Sequence, residues 1–268
     1  MPNLLVEIYA CPSMFIHNGT ILLCGGLDGR EDNDLHCLEF TNRSWKKHST
    51  LNMLRGGHST VSVQKGTFIF GGGHSPETYE YLPKESTTWI MGKKEIPEDI
   101  WHQGCAIAVK SEQEIWLIGV GQSRKKIISF DVNDHTFKEL PWQVNVRRGG
   151  FRCAFIPNTN KIMITGGSGR FGIMKSTEII DTEDGSVKMA SPMNHERFDH
   201  GMGVFKINNE NRLAVFLGKK SDDEMNDNRL ELYNAQTEKW EETDIEMNGP
   251  KCGFGFLSVK LADIVSNL

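Results

Sequence analysis

The chain has 268 residues, a length that fits one large domain or two small ones. Hydrophobic residues make up 38% and charged residues 24%, which is ordinary for a folded globular protein and excludes wholesale disorder, a coiled coil or a collagen-like chain. The net charge of -5 argues against nucleic-acid binding, and no apolar run is long enough to span a bilayer.

The beginning of the chain and its cysteines indicate the cellular compartment. The first ten residues lack a basic segment and are interrupted by Glu7, so they do not resemble a secretory signal. Three of the six cysteines, Cys11, Cys24 and Cys37, are 13 residues apart, a spacing that allows one disulfide between adjacent strands. The sequence favours free thiols packed as small apolar side chains, and we therefore expect a cytoplasmic protein.

Glycine doublets or their remnants recur at nearly constant spacing. Their first glycines are Gly25, Gly71, Gly119, Gly166 and Gly218, at steps of 46, 48, 47 and 52 residues. Val120 splits the third doublet, and Lys219 stands where the second glycine of the fifth is expected. A short β-branched or aromatic run precedes each doublet and predicts a fully buried strand.

Each repeat predicts three further strands. One apolar segment lies before the buried strand, and another follows the glycines. A fourth strand is marked by a large side chain, which is Trp45, Trp89, Phe137, Val187 or Trp240 in the successive repeats. Four short strands in a unit of this length predict an all-β protein built of propeller blades, because a lone four-stranded sheet cannot bury both of its faces. We expect the large side chain to fill the wedge between blades and the glycines to lie where inner strands crowd the central axis.

This pattern of a double glycine, an aromatic-centred third strand and a tryptophan a few residues later resembles the kelch repeat. The resemblance implies a single kelch-type β-propeller domain over residues 1–268, with six blades of four-stranded antiparallel sheets. The predicted blades cover residues 12–50, 55–97, 101–146, 148–192, 197–247, and 251–268 together with 1–10. The sixth blade would close the ring by pairing strands from the two ends of the chain, which removes exposed sheet edges.

A second set of residues recurs once per blade, where one blade leads into the next. Its members are Arg55, Trp101, Arg148, Arg197 and Lys251, with His102 and Arg147 beside them. In kelch-like substrate adaptors, arginines at this junction face a bowl that binds acidic peptides, and the resemblance implies that these seven residues bind the ligand here. The alternative interpretation is that the arginines hydrogen-bond carbonyl groups of neighbouring blades.

The loops between the second and third strands should lie on the same rim. They vary in length and charge. The loop at 122–126 carries Arg124, Lys125 and Lys126, the loop at 168–175 carries Arg170 and Phe171, and the loop at 219–228 carries the acidic run 222–224. Variable loops on a rigid scaffold commonly determine binding specificity.

The resemblance implies a protein-interaction module that binds a protein or peptide segment, with an acidic segment favoured and substrate recognition for a cullin-type ubiquitin ligase as its role. One alternative is an actin-binding or scaffolding kelch protein. Another is a kelch-fold enzyme such as a sugar mutarotase, for which Asp199 and His200 would be the acid–base pair. We expect no enzymatic activity, no cofactor, no metal, and neither nucleic acid nor membrane as a partner. The identity of the partner and the oligomeric state cannot be predicted.

Overall fold

The structure is a computed structural model that describes residues 13–17, 20–26, 36–41, 44–98, 100, 104–207, 209–219 and 228–246. Within these ranges the regular secondary structure is entirely β-strand. The described residues therefore contain no helix that could cross a membrane.

Five four-stranded antiparallel sheets, blades 1 to 5, contain all but two of the described strands. Blade 1 has β1 (Ser13–His17), β2 (Thr20–Cys24), β3 (His36–Thr41) and β4 (Ser44–Thr50). Blade 2 has β5 (Ser59–Val63), β6 (Gly66–Phe70), β7 (Tyr79–Pro83) and β8 (Ile90–Met91). Blade 3 has β9 (Cys105–Val109), β10 (Glu114–Val120), β11 (Lys126–Asp131) and β12 (Phe137–Gln143).

Blade 4 begins with β13 (Arg152–Phe155) and β14 (Lys161–Thr165). A small hairpin of β15 (Ser168–Gly169) and β16 (Gly172–Ile173) interrupts it before β17 (Thr177–Asp181) and β18 (Val187–Ala190). Blade 5 has β19 (Gly201–Ile207), β20 (Glu210–Phe216), β21 (Arg229–Asn234) and β22 (Lys239–Glu246).

The blades stack around a common axis. The first strands contact one another in series, β1 with β5, β5 with β9, β9 with β13 and β13 with β19. Apolar clusters fill the spaces between neighbouring blades, such as the one that joins Phe68 and Phe70 of blade 2 to Phe130 of blade 3. Each inner sheet thus buries both faces against its neighbours, which defines a β-propeller.

The prediction of an all-β propeller of four-stranded antiparallel sheets is confirmed, but the number of blades differs. The described residues form five blades rather than the six predicted. The difference concerns residues 251–268 and 1–10, which were assigned to the sixth blade and which lie outside the described residues.

The up-and-down order of the strands gives the propeller two faces. The connectors between blades and the loops between each blade's second and third strands share one face, which we call the upper face. The hairpin turns that join first to second and third to fourth strands share the opposite face, which we call the lower face.

The glycine doublets lie against the connector that enters the next blade. A Cβ atom on Gly71 would be 2.5 Å from the Cβ of Ile100, and the N–H of Gly72 donates to the carbonyl oxygen of Ile100 at 3.1 Å. In blade 5 the equivalent left-handed pair is Leu217, with φ of 55°, and Gly218, with φ of 97°. The doublet there has lost its first glycine, so the prediction that Lys219 replaces the second glycine is wrong.

The large side chains predicted on the fourth strands lie on them, except that Trp89 directly precedes β8. Trp45, Trp89 and Trp240 are buried, whereas Phe137 and Val187 are partly buried and pack against the apolar clusters. Trp45 and Trp240 also contact aromatic side chains of their own blades, with ring centres 5.2 Å from Phe40 and 5.3 Å from Tyr233.

Four cysteines form two disulfides, so the prediction of free thiols is wrong for them. Cys24 and Cys37 lie directly opposite each other on β2 and β3, with their Cα atoms 4.1 Å apart. Cys105 and Cys153 lie on the first strands of blades 3 and 4 and link the two blades. The remaining cysteines, Cys11 and Cys252, are outside the described residues.

Removing the inter-blade disulfide with Cys105→Ser and Cys153→Ser should lower the free energy of unfolding by about 2–4 kcal/mol. The bond joins residues 48 apart, so losing it frees a long loop in the unfolded chain. Urea unfolding without reductant tests this, with Cys24→Ser and Cys37→Ser, which open a loop of 13 residues, as the comparison expected to lose less. Equal midpoints with and without dithiothreitol for the unmodified protein would contradict both disulfides.

Candidate functional site

Three of the arginines that were predicted to face a ligand are buried inside the blades. The exposed fractions of Arg55, Arg148 and Arg197 are 0%, 1% and 0%. Each forms an ion pair with a buried glutamate on the third strand of the blade that its connector enters. The pairs are Arg55 with Glu80, Arg148 with Glu178 and Arg197 with Glu231, at 3.0, 2.9 and 3.0 Å.

Arg197 shows how the guanidinium is used. Its Nε and Nη2 groups donate to Oε1 of Glu231 at 3.1 and 3.0 Å. Its Nη1 group donates to the carbonyl oxygen of Leu217 at 2.8 Å, and Nη2 also donates to that of Arg229 at 2.9 Å. The side chain therefore ties the connector to the end of β20 and the start of β21.

The carboxylates of the glutamates also bind main-chain N–H groups of the connectors. Oε2 of Glu231 accepts the N–H of Asn194 at 2.6 Å. The same contact joins Glu80 to Asn52 at 2.7 Å and Glu178 to Asn145 at 2.6 Å. We call each arginine, its glutamate and this main-chain contact an Arg–Glu lock.

Burial and ion pairing act in opposite directions on these arginines. Burial lowers the pKa of Arg55 and of Arg148 below the ordinary value, because a charged group loses its hydration. The charges of Glu80 and Glu178 raise the pKa of their partners in return. The locks thus compensate a desolvation cost within the blade.

The guanidinium groups of Arg55, Arg148 and Arg197 point into the blades and bond to the protein there, which argues against the prediction that they bind the ligand. The alternative interpretation, that the arginines hydrogen-bond carbonyl groups of neighbouring blades, agrees better with the structure. The arginines do donate to carbonyl groups, but these belong to the blade that the connector enters. Trp101, His102 and Lys251, predicted as further members of the ring, lie outside the described residues.

Blade 3 has no lock, and it shows which residue occupies the arginine's position. The N–H groups of Gly26 and Gly167 donate to the carbonyl oxygens of Arg55 and Arg197 at 2.9 and 2.8 Å. Gly72 makes the same bond to Ile100, so the equivalent residue is Ile100 rather than the predicted Trp101. On β11 the position of the glutamate is taken by Ile128, which lies opposite Leu117 as Glu80 lies opposite Ile69.

The glutamates were missed by sequence reasoning although the sequence carries a signal for them. Glu80, Glu178 and Glu231 interrupt otherwise apolar third strands. Such a charge inside a buried strand requires a partner. Where the arginine is replaced by an apolar residue, as at Ile100, the glutamate is replaced too.

A group of cationic side chains reaches solvent on the upper face beside the β15–β16 hairpin. Arg147, the remaining predicted member of the ring, is exposed. Its carbonyl oxygen would be 3.0 Å from a Cβ on Gly169, and Gly149 and Ser168 exchange two main-chain hydrogen bonds. The connector that carries Arg147 therefore runs along the hairpin.

The tip of this hairpin carries a large apolar residue that is unusually exposed to solvent. Phe171 is 95% exposed, far more than any other large hydrophobic residue that the structure describes. The guanidinium carbon of Arg170 lies 5.6 Å from the centre of its ring, within the range of a cation–π contact. The predicted loop residues Arg170 and Phe171 thus form an exposed cationic and aromatic knob.

The charged loop of blade 3 is joined to the same sector of the upper face. The N–H of Val144, at the start of the connector to blade 4, donates to the carbonyl oxygen of Lys125 at 3.0 Å. Lys125 and Arg124 are half-buried, and only two residues of the connector separate Val144 from Arg147. We call Arg124, Lys125, Arg147, Arg170, Phe171 and Lys175 the basic–aromatic patch.

The acid–base pair of the enzyme alternative is buried. The exposed fractions of Asp199 and His200 are 5% and 1%, and Nε2 of His200 is 2.8 Å from Oγ1 of Thr165. Burial, together with the positive charges of Arg152, Arg197 and Arg148, holds the pKa of His200 well below its ordinary value. Among the described residues, no three histidine, cysteine or acidic side chains are grouped so that they could hold a metal ion.

The geometry defines the chain as a β-propeller, a fold that commonly serves as a scaffold for protein interactions. No known protein-family model matches the sequence. No curated protein matches it either.

Proposed function

We propose that this propeller is a protein-interaction module whose basic–aromatic patch binds an acidic protein segment that also carries an apolar side chain. The observation that carries the proposal is the exposure of Phe171, beside the guanidinium of Arg170, at the tip of the β15–β16 hairpin. An exposed aromatic ring costs solvation free energy, and such residues are frequent anchors at protein interfaces.

The charges of the patch favour an acidic ligand. Its five cationic side chains form no ion pair with any described residue, although the whole chain carries a net charge of -5. The adjacent Lys126 is different, because it is already paired with Glu98 and Glu139. Guanidinium groups left free on a surface can bind carboxylates through two parallel hydrogen bonds.

The biological role follows from the resemblance to kelch repeats. That resemblance supports substrate recognition for a cullin-type ubiquitin ligase, carried out without enzymatic activity. Actin binding or scaffolding is the alternative role for the same surface. The chemistry of the patch is common to both, so the first experiment concerns the ligand and not the pathway.

Selection from a random 12-residue peptide library displayed on phage tests the ligand. We expect enrichment of peptides that combine several Asp or Glu residues with one large apolar residue. For a synthetic peptide of this kind, Phe171→Ser should weaken binding about tenfold, which corresponds to about 1.4 kcal/mol. Arg147→Glu should weaken it as much and should reduce its dependence on salt.

Ile245→Ser provides the matched control, because Ile245 is also an exposed apolar residue but lies on the outer strand of blade 5. It should leave peptide binding unchanged, and the melting temperatures of all three variants should match that of the unmodified protein. Selection of peptides without acidic residues, or unchanged binding in both patch variants, would overturn the proposal.

A further inference from the structure

A cleft of about 480 Å³ opens on the lower face between blades 4 and 5. The turn at 156–158 forms one wall, and residues 209–213 and 233–236 of blade 5 form the other. Its base is apolar, because Ile156, Leu213 and Tyr233 are buried. The volume lies within the range of about 300–1,000 Å³ found for small-molecule sites.

Carboxamide groups dominate the polar lining of the cleft. They belong to Asn158, Asn209, Asn211, Asn234 and Gln236. Asn234 is committed to the protein, since its Nδ2 donates to Glu241 and its Oδ1 accepts the N–H groups of Gln236 and Thr237. The side chains of Asn158, Asn209 and Asn211 make no hydrogen bond with any described residue, so both their donors and their acceptors are free for a ligand.

The equivalent clefts between other blades are larger, at about 680 and 630 Å³, but polar groups that line them already bond to the protein. Between blades 3 and 4, Asn160 bonds to Glu183 and also accepts the hydroxyl of Thr182 through its carbonyl oxygen at 2.8 Å. Between blades 2 and 3, the carboxylate of Glu112 accepts the N–H of Gln64 at 2.6 Å. Free carboxamides on both walls distinguish the cleft of blades 4 and 5.

The charge of the cleft favours a neutral ligand. The guanidinium of Arg212 is compensated by Glu241, whose Oε2 it contacts at 2.7 Å, and its Nε donates to the carbonyl oxygen of Tyr233 at 3.4 Å. Glu210 is exposed at the rim and repels anions. Groups that both donate and accept are needed to satisfy carboxamides, and vicinal hydroxyl groups do so in pairs.

We infer that this cleft binds a neutral saccharide, with Asn158 on one side and Asn209 and Asn211 on the other as its hydrogen-bonding groups. The site is independent of the basic–aromatic patch, which lies on the opposite face. Hydroxyl groups of the sugar would bond to the carboxamides, and its C–H groups would rest on Pro157 and Ala235 at the mouth of the cleft.

Titration of the ¹⁵N-labelled protein with glucose, galactose, N-acetylglucosamine and maltose tests this site by NMR. At least one sugar should produce saturable shifts in the side-chain NH₂ signals of Asn158, Asn209 and Asn211 at millimolar concentration. Asn158→Ala and Asn211→Ala should each weaken the binding about fivefold to tenfold, the effect of one lost hydrogen bond.

Asn160→Ala is the matched control, because Asn160 lies in the neighbouring cleft and its side chain is already bonded to Glu183. It should leave sugar binding unchanged. Absence of saturable shifts with all four sugars would overturn the inference, and so would shifts of the same signals by triglycine but by none of the sugars, which would assign the cleft to peptide main chain. Neither result affects the proposed function, since peptide binding to the upper face is measured separately.

Discussion

Replacing Glu231 by isoleucine is expected to lower the free energy of unfolding by about 3–5 kcal/mol. The change leaves the guanidinium of Arg197 buried at 0% exposure without its carboxylate. It also removes the acceptor for the N–H of Asn194. Urea unfolding followed by tryptophan fluorescence measures the loss, since Trp240 is buried in the same blade.

The double variant Arg197→Ile with Glu231→Ile separates the ion pair from simple packing. It reproduces the Ile100 and Ile128 combination that blade 3 carries at these positions. Because no charge is left without a partner, we expect the double variant to be more stable than either single variant. A coupling free energy of more than about 1 kcal/mol in this cycle identifies the lock.

The exposed ion pair of the same blade is the matched control. Arg212 and Glu241 are 2.7 Å apart, with side-chain exposures of 20% and 44%. Arg212→Ala should therefore cost less than about 1 kcal/mol. If Glu231→Ile costs no more than Arg212→Ala, the lock is not a determinant of stability.

The second large effect is a loss of stability in acid that comes from two buried histidines. Burial, assisted by the charge of Arg55, lowers the pKa of His58 from 6.5 to about 3. The pKa of His200 is also well below its ordinary value because of burial. Below pH 6.5 the unfolded chain binds protons at both residues and the folded chain does not, so stability falls as the pH falls. Above pH 6.5 their contribution is constant.

The expected slope is about 1.4 kcal/mol per pH unit for each histidine between pH 6.5 and the pKa of its folded form. Phe151 shows how to test it, because it occupies in blade 4 the place that His58 occupies in blade 2. A Cβ on Gly25 would be 2.6 Å from Cε1 of His58, and a Cβ on Gly119 would be 2.7 Å from Cε1 of Phe151.

His58→Phe should reduce the number of protons taken up on unfolding by one, so the free energy of unfolding should depend less steeply on pH. Phe151→His should increase that number by one and make the dependence steeper. Urea midpoints measured from pH 4.5 to pH 7.5 give both slopes. Parallel curves for these two variants and the unmodified protein would contradict the assignment of the acid sensitivity to this position.

The fold was predictable because its signals are periodic. A spacing of 46 to 48 residues between Gly25, Gly71 and Gly119 sets the blades, and the tryptophans mark the outer strands. At two positions the predicted residue is one later than the observed one. Trp101 was predicted where the structure has Ile100, and Gly218 was predicted as the first member of the doublet where the structure has Leu217. At both, the position is fixed by main-chain geometry, either a hydrogen bond or a left-handed φ, and not by the type of side chain.

The direction of the arginines was not predictable from their spacing. The period places Arg55, Arg148 and Arg197 at the same point of each connector, but it does not say whether the side chain turns outward or into the blade. That choice depends on Glu80 and its equivalents, which lie 25 or more residues further along the chain. The disulfide of Cys105 and Cys153 likewise depends on the contact of two first strands in different blades.

The Arg–Glu locks separate the part of each connector that holds the blades together from the loops beside it. In blade 5, Glu231 binds the main chain of Asn194 and the guanidinium of Arg197 binds the main chain of β21. In blades 2 and 4, the only loop side chains that the guanidinium groups use among the described residues are the hydroxyl groups of Thr78 and Ser176. Segments such as 168–173 are therefore free to diverge in sequence or to be exchanged by grafting. The propeller could therefore serve as a scaffold on which loops that bind new ligands are selected without changes to its core.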